Sequence, residues 1–173
     1  MKILVDADSC PKPARELVLR CSARRGIHAV FAANRPMPGV SGENIVMEIC
    51  PPGENSADDK LVELAAPGDI AVSRDLALAK RLLEKNAVVI DDRGRLFTLG
   101  TINELLSLRD FTVALAENGL GTERIASYGK KELKAFADAL DKQITKGKGV
   151  GSGPQSPVPS PQSPSRDTNS GCV

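Results

Sequence analysis

The chain has 173 residues, 41% hydrophobic and 26% charged, which suits one soluble globular domain with a core of useful size. A formal net charge of +1 excludes a strong overall field for nucleic acid or membrane, so any phosphate recognition has to be local. No run is long enough to cross a bilayer and Asp6 interrupts any leader-like apolar start, so a cytoplasmic protein with no membrane partner is the expectation.

The first residues, MKILVDADSCPKP, set the pattern. Ile3, Leu4 and Val5 are strand formers that stop at two acids, Asp6 and Asp8, with Ala7 between. Ser9 is a candidate helix cap, and Pro11 or Pro13 suits a first helical turn. Residues 12–25 place Ala14, Leu17, Val18 and Cys21 at helical spacing, and Gly26 stops the helix. A second strand is predicted over 28–33, then a Pro- and Gly-rich loop over 34–42, then a third strand over 44–50. Ser56 reads as the cap of a helix reaching residue 66. Residues 69–73 form a fourth strand, 75–85 a helix and 87–90 a fifth strand. Repeated strand–helix–strand units predict a mostly parallel sheet with both faces covered.

Beyond Asp92 the Arg93–Gly94–Arg95 stretch reads as a turn, with residues 96–99 as a short extension or edge hairpin. Two helices are expected, over 101–118 with Ile102, Leu105, Leu106, Phe111 and Leu115 inward, and over 130–144 with Leu133, Phe136, Ala137 and Leu140 inward. The domain is taken as 1–146. The Gly-, Ser- and Pro-rich segment 147–173 is expected to be disordered, having almost nothing to bury.

The candidate chemistry rests on carboxylates. Asp6 and Asp8 follow the first strand, Asp58 and Asp59 open a helix, Asp75 follows the fourth strand, and Asp91 with Asp92 follows the fifth. In open α/β sheets the crevice at the carboxyl ends of the strands is where ligands bind. Acids as close as Asp6 and Asp8 repel unless a cation, proton or water intervenes, and hard Mg²⁺ or Mn²⁺ favours oxygen ligands. The other reading is acids that favour a helix dipole and nothing more. Asp59, Asp91 and Asp92 are read as surface or turn residues, and Ser73 as a cap before a phosphate ligand. Cys10, Cys21, Cys50 and Cys172 lack paired metal-type spacing, so reduced thiols are expected. Cys10 is read as a small half-buried side chain, with a lowered pKa at a helix start as the alternative. The only histidine, His28, has no companion, which makes a zinc site or a histidine triad improbable.

IxVDADxCP at the start, NSADDKLVELAAPGDIAVSRDLALAKRLLEKNAVVIDDRGRLFT in the middle and NELLSLRDF after it together resemble the YaiI/YqxD family of bacterial proteins, over residues 1–144. That family is generally placed with the PIN-like domains, so the resemblance implies a three-layer α/β/α fold and a metal-dependent ribonuclease-like site. It implies Asp6, Asp58 and Asp75 as metal-holding acids, with Asp8 assisting from this family's own DAD signature. The metal would be Mg²⁺ or Mn²⁺ and the substrate RNA. Ser73 stands where the related pattern has Thr, and Ser73, Lys12 and Arg74 are candidate phosphate contacts. Arg35 and Arg109 are weaker candidates, and Arg109 with Asp110 also reads as a structural ion pair. Two other readings remain. One is a haloacid-dehalogenase-like phosphatase, with Asp6 as nucleophile, Asp8 as general acid or base, Ser73, Lys80 or Lys85, and Asp91–Asp92. The other is a binding module that kept the crevice without the reaction.

Overall fold

The computed structural model describes residues 1–53, 55–117 and 128–148, with side chains for 1–53, 55–109 and 128–147. The elements run β1 (Ile3–Asp6), α1 (Lys12–Arg25), β2 (Ala29–Ala33), β3 (Ile45–Ile49), α2 (Ser56–Leu64), β4 (Ile70–Val72), α3 (Leu76–Glu84), β5 (Val88–Ile90), α4 (Leu99–Glu117) and α5 (Lys130–Lys148). All four strand pairings are parallel, in the order β3-β2-β1-β4-β5.

The alternation of side chains along each strand divides the core into two faces. Ile3 and Val5 of β1 join Phe31, Val18, Ile90, Phe136, Leu140 and Ile144 under α1 and α5. Leu4 points the other way, to Ala71, Val89, Leu61, Leu78, Leu82 and Ile102 beneath α2, α3 and α4. The result is the three-layer α/β/α architecture expected of strands that are apolar on both sides. Phe136 is fully buried, and truncating it to Ala would cost about 3–5 kcal/mol. Among the described residues, no helix is long and apolar enough to cross a membrane.

Several local expectations change. Pro11, with extended backbone, is the N-cap of α1, and Ser9 makes no cap because its hydroxyl turns to Asp6. Asn55 at φ 63° precedes α2, and Ser56 lies inside the helix with its hydroxyl donating to the carbonyl of Pro51 at 2.6 Å. α2 ends at Leu64, where Ala65 turns extended. The 96–99 extension reduces to a single antiparallel bridge, Ile90 to Leu96, before α4 begins at Leu99. Gly94 at φ +84° is required in that turn, since a Cβ there would lie 2.5 Å from the carbonyl oxygen of Ala135. No helix connects β2 to β3, so edge strand β3 keeps Val46 44% and Ile49 56% exposed. α5 extends to Lys148, past the predicted domain boundary, and the rest of the predicted tail lies outside the described residues. The expected inward contacts of Phe111 and Leu115 also lie outside the described side chains.

Strand order decides where a ligand can sit. The chain leaves β1 towards β2 and β3, then crosses back to place β4 and β5 on the other side. The connections therefore diverge between β1 and β4, and the carboxyl ends of those two strands are where a sheet of this order offers a ligand crevice.

Candidate functional site

Asp6 ends β1 at this crevice and is 5% exposed. One of its oxygens, Oδ2, accepts the hydroxyl of Ser9 at 2.6 Å and that of Ser73 at 2.9 Å, while the Ser9 amide reaches Oδ1 at 3.3 Å. Ser73 follows β4 and is buried; its oxygen also accepts the backbone N–H of Asp75 at 3.0 Å. Asp6, Ser73 and the Asp75 backbone thus form one polar chain bridging β1 and β4. Asp75 in turn caps α3, its Oδ1 accepting the N–H of Leu78 at 2.9 Å. Capping was expected of Ser73, whose hydroxyl is held by Asp6; Asp75 does it instead.

Asp58 lies in the first turn of α2. Its carboxyl is pushed up to about 6, first by burial and then by the negative charges of Asp6 and Asp75, with Arg81 opposing. Each of these acids comes from a different element, and they share one electrostatic neighbourhood. Among the described residues, no three His, Cys, Asp or Glu side chains lie close enough together to hold a metal ion as they stand.

Asp8 is turned elsewhere. Its Oδ2 accepts the backbone N–H of Asn34 at 2.8 Å and its Oδ1 lies 3.7 Å from Nε of Arg35, tying the β1–α1 loop to the end of β2. Lys12 opens α1, exposed, with Glu16 at 3.9 Å. Arg74 grips Asp92 in a two-pronged pair, Nε at 2.6 Å and Nη2 at 2.5 Å. Asp92 is therefore no surface residue: it is 2% exposed, and its carbonyl accepts the Tyr128 hydroxyl at 3.0 Å. Asp91 is also buried, shaping the turn by accepting the N–H groups of Arg93 at 2.9 Å and Arg95 at 2.7 Å. Burial raises its carboxyl pKa, against those two donors. Asp59 stays at the surface, paired with Arg81 at 2.7 Å. His28 is exposed, and Arg109 is exposed on α4 while the Asp110 side chain lies outside the described residues.

The alternative of an activated Cys10 is corrected. The side chain is 3% exposed and its thiol is pushed up to about 12, by burial first and then by Asp92, with Asp6 adding to the rise. The pairing of half-exposed Arg74 with buried Asp92 was not foreseen, although both residues follow strands that were. Asp69 was also missed as a structural acid. Buried at the opposite end of the sheet, it accepts Nζ of Lys2 at 2.6 Å, the Lys2 amide at 2.9 Å and the Ala66 amide at 3.0 Å.

Comparison with known proteins agrees with the sequence resemblance. Residues 4–146 match the uncharacterised YaiI/YqxD family. A UPF0178 protein of Treponema denticola is 42% identical over 146 residues, spanning 84% of this chain and 93% of its own. A UPF0178 protein of Treponema pallidum is 40% identical, spanning 84% and 82%, and one of Pseudomonas entomophila 36%, spanning 84% and 97%. Comparison with solved structures found no match. Similarity of this depth spans every acid of the crevice, and the chain belongs to the YaiI/YqxD family.

Proposed function

We propose that this protein is a PIN-like, metal-dependent hydrolase of RNA phosphodiesters, working from the crevice between β1 and β4. The observation that carries the reading is the delivery of Asp6, Asp58 and Asp75 to that crevice by three separate elements, close enough for Asp58 to feel both other charges. The donor set suits a hard cation: every candidate ligand is a carboxylate oxygen, and negative charge is in excess. Asp6, Asp58 and Asp75 would hold the ion, Mg²⁺ or Mn²⁺. A bound ion of this kind supplies an activated water and offsets charge on the phosphoryl oxygens.

The chain's own groups do the rest. Ser9 and Ser73 fix the carboxylate of Asp6 in one orientation. α3 fixes Asp75 through its cap. Asp58 makes no hydrogen bond or ion pair among the described residues and keeps both oxygens available. Asp8, held by Asn34 and Arg35, orders the loop that borders the crevice. Lys12 and the exposed part of Arg74 are the phosphate contacts in this reading, since the Ser73 hydroxyl is committed to Asp6. An aspartyl-phosphate route is less well supported, because Oδ2 of Asp6 already carries two hydroxyl bonds and α1 begins at Lys12, leaving little chain for an inserted flap.

Single-stranded RNA and small phosphomonoesters should be assayed side by side with Mn²⁺. Weak RNA cleavage, lost in both Asp6→Asn and Asp58→Asn, is expected. Phosphomonoester turnover by Asp58→Asn at the wild-type rate, with phosphate trapped on Asp6, would overturn the proposal, as would a wild-type protein that cleaves no RNA.

A further inference from the structure

α1 and α5 lie side by side over one face of the sheet, and a groove of about 590 Å³ opens between them. That volume is within the range of small-ligand sites. Its floor is apolar, made by Leu17, Cys21 and Leu140, and its rim carries Arg20, Arg24 and Lys142. None of these three cations has an ion-pair or hydrogen-bond partner among the described residues. The two acids that also line the groove are already engaged, Asp138 with Lys134 at 2.8 Å and Asp141 with Arg25.

Elsewhere Lys2 is paired with Asp69, Lys60 with Glu63 and Arg81 with Asp59, whereas Lys80 and Lys85, on and beside α3, stand outside the groove. The groove thus sets three cations without ion-pair partners among the described residues around one concave place, in a chain whose net charge is only +1. The helix explains the arrangement: Arg20 and Arg24 are four residues apart on α1, so their side chains leave the same face about 6 Å apart. Lys12, on the same helix, begins at the acid-bearing end, roughly 18 Å along the axis from Arg24.

We infer that this groove holds the phosphodiester backbone of single-stranded RNA, at a site separate from the acid crevice. The choice of RNA rests on the function proposed above. A row of spaced, unpaired cations matches a chain of regularly repeated single negative charges. No aromatic side chain is among the described residues that line the groove, so contact with the backbone has to supply the binding there. Binding of this kind is indifferent to base sequence and sensitive to salt.

The test uses the full chain with EDTA and a short labelled single-stranded RNA, followed by fluorescence anisotropy across a salt series. Arg20→Glu with Arg24→Glu should weaken binding about tenfold or more and flatten the logarithmic salt slope by about 1.4, at roughly 0.7 per lost phosphate contact. Lys80→Glu with Lys85→Glu, an equal charge change on and beside α3, should leave the affinity within about twofold. Equal losses in the two charge-reversed proteins, or no loss in the first, would overturn the inference. So would polyglutamate binding as tightly as RNA, which would reassign the groove to acidic peptides. Competition by adenosine monophosphate at matched phosphate concentration would reassign it to free nucleotides. RNA held in the groove of a wild-type protein that cleaves nothing would remove the catalytic proposal alone. Cleavage with binding untouched by Arg20→Glu and Arg24→Glu would remove the groove alone.

Discussion

Arg74 holds Asp92 through two parallel hydrogen bonds of 2.6 and 2.5 Å, and the two ends of that pair sit in different environments. The Arg74 side chain is 41% exposed, whereas that of Asp92 is 2% exposed. The buried carboxylate is paired with this guanidinium, which belongs to the residue between Ser73 and Asp75. The pair thus braces the end of β4 against the end of β5.

Breaking this pair from either side should therefore be costly. Asp92→Ala leaves Arg74 half solvated, whereas Arg74→Met leaves a buried charge with no counter-ion, which is the worse case. We expect losses of roughly 2 and 3–4 kcal/mol, with the double replacement recovering part of the second. Urea denaturation of the single and double variants measures this. Strictly additive losses would mean the pair contributes nothing as a unit.

Asp58 gives a pH dependence of unusual sign. Its carboxyl, ordinarily near 3.8, sits near 6 in the fold, so the folded state binds the proton more tightly than the unfolded chain does. Between those values stability falls as pH rises, and above about 6 the folded protein carries the full penalty of a charged Asp58. In metal-free protein, Asp58→Asn should stabilise by about 1 kcal/mol at pH 7.5, a figure reduced for screening because the group is part-exposed, and should change little at pH 4. Melting temperatures at the two pH values decide it. A variant equally destabilised at both would show that Asp58 is held by contacts rather than strained by charge.

A divalent cation should act on the same cluster. Mg²⁺ or Mn²⁺ is expected to raise the melting temperature of the wild-type protein, because an ion that binds only the folded state stabilises it by mass action. Asp6→Asn and Asp75→Asn should each shrink that rise, while Asp92→Asn, whose carboxylate is committed to Arg74, should leave it unchanged. Isothermal calorimetry that detects no heat with either ion would count against the metal-dependent reading.

Much of the fold is legible one segment at a time. The apolar runs ILV, AVFAA and IAV mark strands buried on both faces, and Gly26 and Pro13 punctuate α1 as their backbone preferences require. The candidate acids were legible too, because an acid that ends an apolar run has to emerge at a sheet edge. Burial and turn formation are local demands, met by residues within a few positions of each other. What partners those acids take is decided elsewhere. Ser73 and Asp6 are 67 residues apart, and only the placing of β4 beside β1 brings them into contact. The same order sets β5 beside β4 and lets Arg74 reach Asp92, while Asp8 is drawn to the β2 side by Asn34 and Arg35. Ser9 and Ser56 carry the hydroxyls of helix caps and cap nothing, since stronger partners fold within reach of them. Strand order is the sum of many small packing choices over the whole core, and no short stretch of chain contains it.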